Sequence, residues 1–275
     1  MPIRSGVVLT EGAEIAYDVE GSGPLLLLVV GGNGDSKLFT GLSAQLADRY
    51  TVVKYDRRAN ARSTGDLEGA LDMAQAGRDA AAIIQQINAG PAYVFGNSAG
   101  ANIALKLTED HPQLVRALIG HEPPVTDFLP QPDAGKWRVF FDQVYALFLA
   151  QGSGPAMQLF ASSFVGFDKN TPAPRDQTGT SHNRFLAHEF QAINSYVPDI
   201  DTLRKVMQGG TPILTLVGRD SGNAFYAQTA RELARQLPCP CVEITGNHLG
   251  YAFHPKAFAD ELHHLIQGLP NVTRS

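Results

Sequence analysis

Apolar runs that alternate with segments of helical period restrict this chain more than any other feature. Residues 25–30 sit inside "PLLLLVV", an uninterrupted apolar run typical of a strand buried on both faces. Further strands are predicted at 50–55, 92–95 and 115–120, with helices at 38–47, 70–88 and 99–109 between them. A hairpin of two short strands, 6–10 and 14–19, precedes the series. Such alternation needs a mainly parallel sheet with helices over both faces. It breaks off after residue 123. Helical stretches near 136–150, 155–165, 181–196 and 201–207 follow, joined by linkers such as "FDKNTPAPRDQTGT". Strand and helix then resume at 213–217, 224–236, 241–245 and 255–267. The expected organisation is an α/β core made of residues 1–123 and 211–275, interrupted by a helical insertion at 124–210.

Composition narrows the function classes. Hydrophobic residues are 44% and charged residues 18% of the 275, an ordinary globular balance. The net charge of −5 and the scattered basic residues argue against a nucleic-acid partner. "PLLLLVV", the longest apolar run, is far shorter than the roughly 20 residues of a membrane helix, so no membrane partner is expected. The start, "MPIRSGVVLTEGAEIAYD", lacks the pattern of a secretory signal, and a soluble cytoplasmic protein is expected. Two cysteines, Cys239 and Cys241, stand one residue apart on an apparent strand and should face opposite sides, neither a disulfide nor a metal pair. No metal or organic cofactor is expected.

The run at 92–95 ends in Gly96-Asn97-Ser98-Ala99-Gly100, and a helical pattern begins at once. Strand, G-x-S-x-G and helix in that order are the setting of a nucleophile elbow, a turn tight enough to strain the serine backbone. Small residues two positions to either side, Gly96 and Gly100, let the turn close. The free N–H groups and positive dipole end of the following helix suit a developing oxyanion. A serine needs a base. Of the eight histidines, His248 in "TGNHLGY" follows the last strand and so shares the carboxyl edge of the sheet with Ser98. His263 and His264 fall on the final helix, and the others lie in connections or in the insertion.

The segments "GNSAG", "GNHLGY", "VVGGNGDS" and "YDRRANARS", with an insertion after the sixth strand, resemble the α/β-hydrolase fold superfamily over nearly the full length. The resemblance implies a mostly parallel eight-stranded sheet flanked by helices, a helical cap, and the order serine, acid, histidine. It also implies an oxyanion hole from the backbone N–H groups of Asn33, in the loop after the third strand, and Ala99. Two departures stand out. Gly31 occupies a position where many relatives have histidine, and Ala59 and Ala61 stand where relatives usually carry glycine.

Two carboxylates can complete the set. Asp220, in "LVGRDSG", lies before His248, but the acid position that the resemblance implies falls on Ser221. Glu122, in "LIGHEPP", follows the sixth strand, where haloalkane dehalogenase-like relatives place a glutamate. Its two following prolines should hold it rigidly. Glu122 is favoured, with Asp220 as the alternative. A serine at the elbow argues against dehalogenase and epoxide-hydrolase chemistry, which use a carboxylate there. The expectation is a serine hydrolase of small or medium apolar esters or lactones, working through an acyl-enzyme. More than half of the aromatic residues fall in 121–210, which suits an apolar cleft. A carbon–carbon bond hydrolase, a biosynthetic cyclase or acyl transferase, and a non-catalytic small-ligand receptor remain open.

Overall fold

In a computed structural model of the chain, residues 2–32, 34–66, 69–168 and 179–270 are described. Eight strands form one sheet: β1 Arg4–Thr10, β2 Ala13–Gly21, β3 Leu25–Val29, β4 Thr51–Tyr55, β5 Ala92–Asn97, β6 Val115–His121, β7 Ile213–Gly218 and β8 Cys241–Ile244. Their spatial order is β1-β2-β4-β3-β5-β6-β7-β8. The pairs β1/β2 and β2/β4 are antiparallel and the remaining pairs parallel. From β3 the chain passes to β4 on one side and returns to β5 on the other. The carboxyl ends of β3 and β5 therefore flank a switch point, where ligands bind in open α/β sheets.

The apolar run of β3 is explained by burial on both sides. Leu25, Leu27 and Val29 join one core cluster, and Leu26 and Leu28 join the other. Each such side chain contributes roughly 2 kcal/mol of transfer free energy. The first cluster lies under α2 (Met73–Ile87), α3 (Ala99–Asp110) and α9 (Phe225–Gln236); the second lies under α1 (Thr40–Leu46), α10 (Gly250–Phe253) and α11 (Pro255–Gln267). Local signals set the ends of α2. The Asp72 carboxylate accepts from the Ala74 N–H at 2.8 Å, and Asn88 closes the helix at φ 52.

Among the described residues, every regular element between β6 and β7 is helical: α4 Asp133–Gln151, α5 Ser153–Ala161, α6 Gly179–Arg184, α7 Phe190–Asn194 and α8 Ile200–Gln208, besides a short 3-10 turn. The single helix expected over 181–196 is instead interrupted by a π-helical turn, Phe185–Glu189. Glu189, its last residue, is buried. The cysteine reading also changes. Cys239 precedes β8, so the alternation of strand side chains does not apply to it, and both thiols are free. Among the described residues no helix is long and apolar enough to cross a membrane.

Both alanines that depart from the family pattern have left-handed backbones, with φ 58 at Ala59 and φ 46 at Ala61. An L side chain there costs about 1–2 kcal/mol. Ala61 is exposed, so its methyl group does little packing. Ala61→Gly is expected to raise stability by about 0.5–1 kcal/mol, the strain relieved less the unfolded-state entropy that glycine adds. Urea unfolding measures it, and a loss of stability would contradict the strain argument.

Candidate active site

Ser98 stands at the junction of β5 and α3 with φ 55 and ψ −127, a conformation that costs a non-glycine residue about 1–3 kcal/mol. Its hydroxyl makes no capping bond to α3, and the residue is half-buried. The flanking glycines are required by contact. A Cβ at Gly96 would lie 2.4 Å from the Gly100 carbonyl oxygen, and one at Gly100 only 2.0 Å from that of Val29. The loop after β3 touches the serine. A Cβ at Gly31 would come within 2.7 Å of Ser98 Cβ, 2.5 Å of the Asn97 carbonyl oxygen and 3.2 Å of the Ala99 nitrogen. The β-carbon of a histidine at position 31 would thus collide with this elbow. Of the two predicted oxyanion donors, Ala99 opens α3 beside Ser98 and is buried; Asn33 lies outside the described residues.

The two carboxylates are placed very differently. Glu122 is fully buried at the end of β6, and its Oε2 lies 2.7 Å from His248 Nδ1. Its Oε1 accepts from the Gly218 N–H at 2.9 Å. Asp220 is exposed in a 3-10 turn after β7. Ser221, at the acid position that the resemblance implies, is fully buried. Before the two prolines the Glu122 backbone takes φ 51. Its N–H is fixed by the Leu216 carbonyl at 3.1 Å, and the two carboxylate bonds hold the side chain in place. Burial pushes the Glu122 carboxyl up, but the neighbouring His121 and His248 outweigh it and hold the group below the usual carboxylate range.

His248 is 4% exposed, packed by the rings of Tyr226 at 4.2 Å and Phe164 at 5.4 Å. Its carbonyl accepts from Asn97 Nδ2 at 3.1 Å. The same amide group lies 3.0 Å from His121 Nδ1, and Asn97 Oδ1 accepts from the Tyr251 hydroxyl at 3.0 Å. With Asn97 donating, the neutral His121 ring carries its proton on Nε2, which faces Glu122 Oε2 at 3.9 Å. Burial depresses His121 to about 4, so it is neutral at pH 7. Sequence reasoning had no means of finding Asn97, His121 or Tyr226, because their roles arise from contacts across the sheet. The one local signal is that Asn97 and His121 each adjoin a predicted site residue.

The helical segment between β6 and β7 reaches the same edge. The Asn247 amide donates to the Gly166 carbonyl at 2.6 Å, and Asn102 to that of Ile193 at 3.1 Å. The rings of Trp137 and Phe141 pack on Phe225, Phe190 on Phe141 and Phe160 on Phe190, with centroids 4.4–5.8 Å apart. A cavity of about 190 Å³ lies beyond β4, lined by Tyr55, Arg57, Leu71, Asp79 and Ile103 among others. Its described lining includes none of Ser98, Glu122 and His248. Among the described residues no group of three or more His, Cys, Asp or Glu is placed to hold a metal ion.

The model of the alpha/beta hydrolase fold family matches residues 24–255. A Bacillus subtilis (strain 168) protein named "Uncharacterized hydrolase YraK" is 34% identical over 270 residues, covering 97% of each chain. Among solved structures, a thermophilic esterase from Thermogutta terrifontis superposes with a TM-score of 0.72 at 18% identity, over 96% of this chain and 98% of that one. Est816, described as an N-acyl homoserine lactone degrading enzyme, has a TM-score of 0.69 at 18% identity, over 94% and 99% of the two chains. These two structures show likeness of fold alone. The family match spans most of the sequence and the Bacillus relative nearly all of it: the chain belongs to the alpha/beta hydrolase fold family and is a hydrolase of that fold.

Proposed function

We propose that this hydrolase cleaves small or medium, largely apolar esters or lactones through a Ser98–His248–Glu122 triad. The observation that carries the reading is a serine strained at φ 55 and ψ −127, at the same sheet edge as an imidazole held 2.7 Å from a buried carboxylate. Glu122 accepts the Nδ1–H of His248, which leaves Nε2 with its lone pair as the base. Nε2 takes the Ser98 proton as Oγ bonds to the carbonyl carbon. The carbonyl oxygen gains the negative charge and is stabilised by the N–H groups of Ala99 and Asn33. Collapse breaks the C–O bond, the imidazolium protonates the leaving alkoxide, and an acyl-enzyme remains. Water, deprotonated by the same nitrogen, releases the acid and restores Ser98. The triad needs no metal or organic cofactor for these steps.

Residues 124–210 act as the cap. Its aromatic residues wall an apolar cleft, and Phe164 reaches the ring of His248. The esterase and lactone-degrading structures of the same fold accord with ester-type substrates. A fluorophosphonate is expected to label the native protein at one site, and Ser98→Ala to abolish labelling together with hydrolysis of a panel of short aryl esters and lactones. Mass spectrometry locates the label. Absence of labelling on folded native protein, or stoichiometric labelling of the alanine variant, would overturn the proposal and favour a ligand receptor.

A further inference from the structure

We infer that His121 is a positioning residue for the acid, an imidazole whose Nε2–H faces the Glu122 carboxylate and helps to keep it ionised and aimed at His248. The inference rests on the serine-hydrolase reading above. His121 ends β6 and pairs in register with Asn97 at the end of β5. Its backbone carbonyl accepts from the Ser98 N–H at 2.9 Å. One residue thus borders the nucleophile through its main chain and the acid through its side chain. The side chain is fully buried, with the ring of Phe258 5.6 Å away and that of His248 stacked at 6.2 Å. An apolar ring would fill such a place at less cost, which marks the polar atoms as the reason for a histidine.

The position of the His121 proton follows from its neighbours. The His248 carbonyl can only accept, so the Asn97 group 3.1 Å from it is the NH₂. The Tyr251 hydroxyl donates to Asn97 Oδ1 at 3.0 Å, which agrees with this orientation. The same NH₂ lies 3.0 Å from His121 Nδ1, which must therefore accept. Burial depresses His121 to about 4, so the neutral ring keeps its one proton on Nε2. That atom is buried and has no hydrogen-bond partner. The charged oxygen 3.9 Å from it is Glu122 Oε2, which also accepts from His248 Nδ1. The separation is too long for a hydrogen bond, but at low dielectric the N–H dipole still acts on the carboxylate.

Glu122 carries its charge fully buried, with hydrogen bonds from the Gly218 N–H and from His248. The buried Ser221 hydroxyl, in the turn after β7, also favours the ionised form. Three other titratable groups surround the pair: Tyr226 on α9, Cys241 on β8 and, behind Asn97, Tyr251 on α10. Burial raises all three above their ordinary values, so they stay neutral. Of these groups, acid protonates the carboxylate and the two imidazoles. Losing the His121 N–H destabilises the carboxylate most when His248 is neutral, because no imidazolium then balances it. The Glu122–His248 pair would take up its first proton at a higher pH.

The test compares His121→Gln and His121→Asn with native protein. The glutamine amide can place an N–H where Nε2 stands, whereas the shorter asparagine reaches only the place of Nδ1. Both lose the ring, so both should lower the plateau kcat. The acid limb of kcat/KM, on any ester that turns over, separates them. In His121→Asn it should move up by about 0.5–1 pH unit, a roughly threefold to tenfold gain in proton affinity. In His121→Gln it should stay within about 0.2 unit of native, because the donor to the charged form is kept. Ring nitrogen-15 NMR of native protein, with His121 assigned by the loss of its signals in either variant, should show a neutral Nε2–H tautomer between about pH 5.5 and 8. A native Nδ1–H tautomer, or a His121 ring that becomes charged in that range, would overturn the inference even if neither variant yields kinetics. An acid limb that moves equally in both variants, or in neither, would show a merely structural ring and overturn it as well. Native protein that takes no fluorophosphonate label would overturn the serine-hydrolase reading and this inference with it. Native protein that labels and turns over, with either failure above, would overturn this inference alone.

Discussion

Glu122→Gln is expected to lower turnover by about 10⁴-fold, and Asp220→Asn by less than about threefold. The glutamine fills the same volume, and its amide oxygen can still accept from the Gly218 N–H, which Glu122 Oε1 does at 2.9 Å. Its NH₂ group would then face His248 Nδ1 in place of Oε2. Nδ1 would have to accept, which moves the imidazole proton to Nε2 and removes the lone pair that takes the serine proton. The imidazolium formed during the reaction would also lose its counter-charge in a site where His248 is 4% exposed. Asp220 is exposed to solvent, so neutralising it changes little. Stopped assays at matched folded fraction on any ester that turns over measure both values. A mild loss in Glu122→Gln with a severe one in Asp220→Asn would pass the role to Asp220. Mild losses in both would leave the triad reading without an acid.

Gly100→Ala is expected to destabilise the protein by at least about 3 kcal/mol and to remove fluorophosphonate labelling with it. The new Cβ would lie 2.0 Å from the Val29 carbonyl oxygen and 2.6 Å from its carbon. Both atoms belong to β3 in the middle of the sheet, so no side-chain rotation relieves the clash. Helix α3 must move away from β3, and Ser98 at its start moves too. Gly77→Ala is the matched control. Its nearest contact would be 3.4 Å, in α2, where alanine favours the helix by roughly 0.5–1 kcal/mol. Guanidinium unfolding separates the two. An unperturbed Gly100→Ala would show that the helix–strand approach is looser than these distances require.

What could be read along the chain and what could not divide by range. The both-sides-buried strand β3, the strand–serine–helix corner and the histidine after β8 were legible because each depends on periodicity or turn chemistry within a few residues. Those local preferences agree with the assembled fold, so the expected elements recur with their ends shifted by a few residues. The insertion was legible as helical for the same reason, but its π turn at Phe185–Glu189 was not, because the buried Phe185, Leu186, Phe190 and Ile193 keep the spacing of an ordinary α-helix. The choice of carboxylate stayed open because spacing in sequence does not fix where a loop points. Only the register of β6 against β7 brings Glu122 Oε1 to the Gly218 N–H and Oε2 to His248, 126 residues away. Arg57 and Glu189, a buried ion pair, stand 132 residues apart, with no local pattern to join them. The sequence by itself determined the elements, the corner that carries Ser98 and the edge where chemistry can occur. Only the tertiary structure decided which buried charges meet there, since a buried carboxylate is tolerated only where distant donors converge on it.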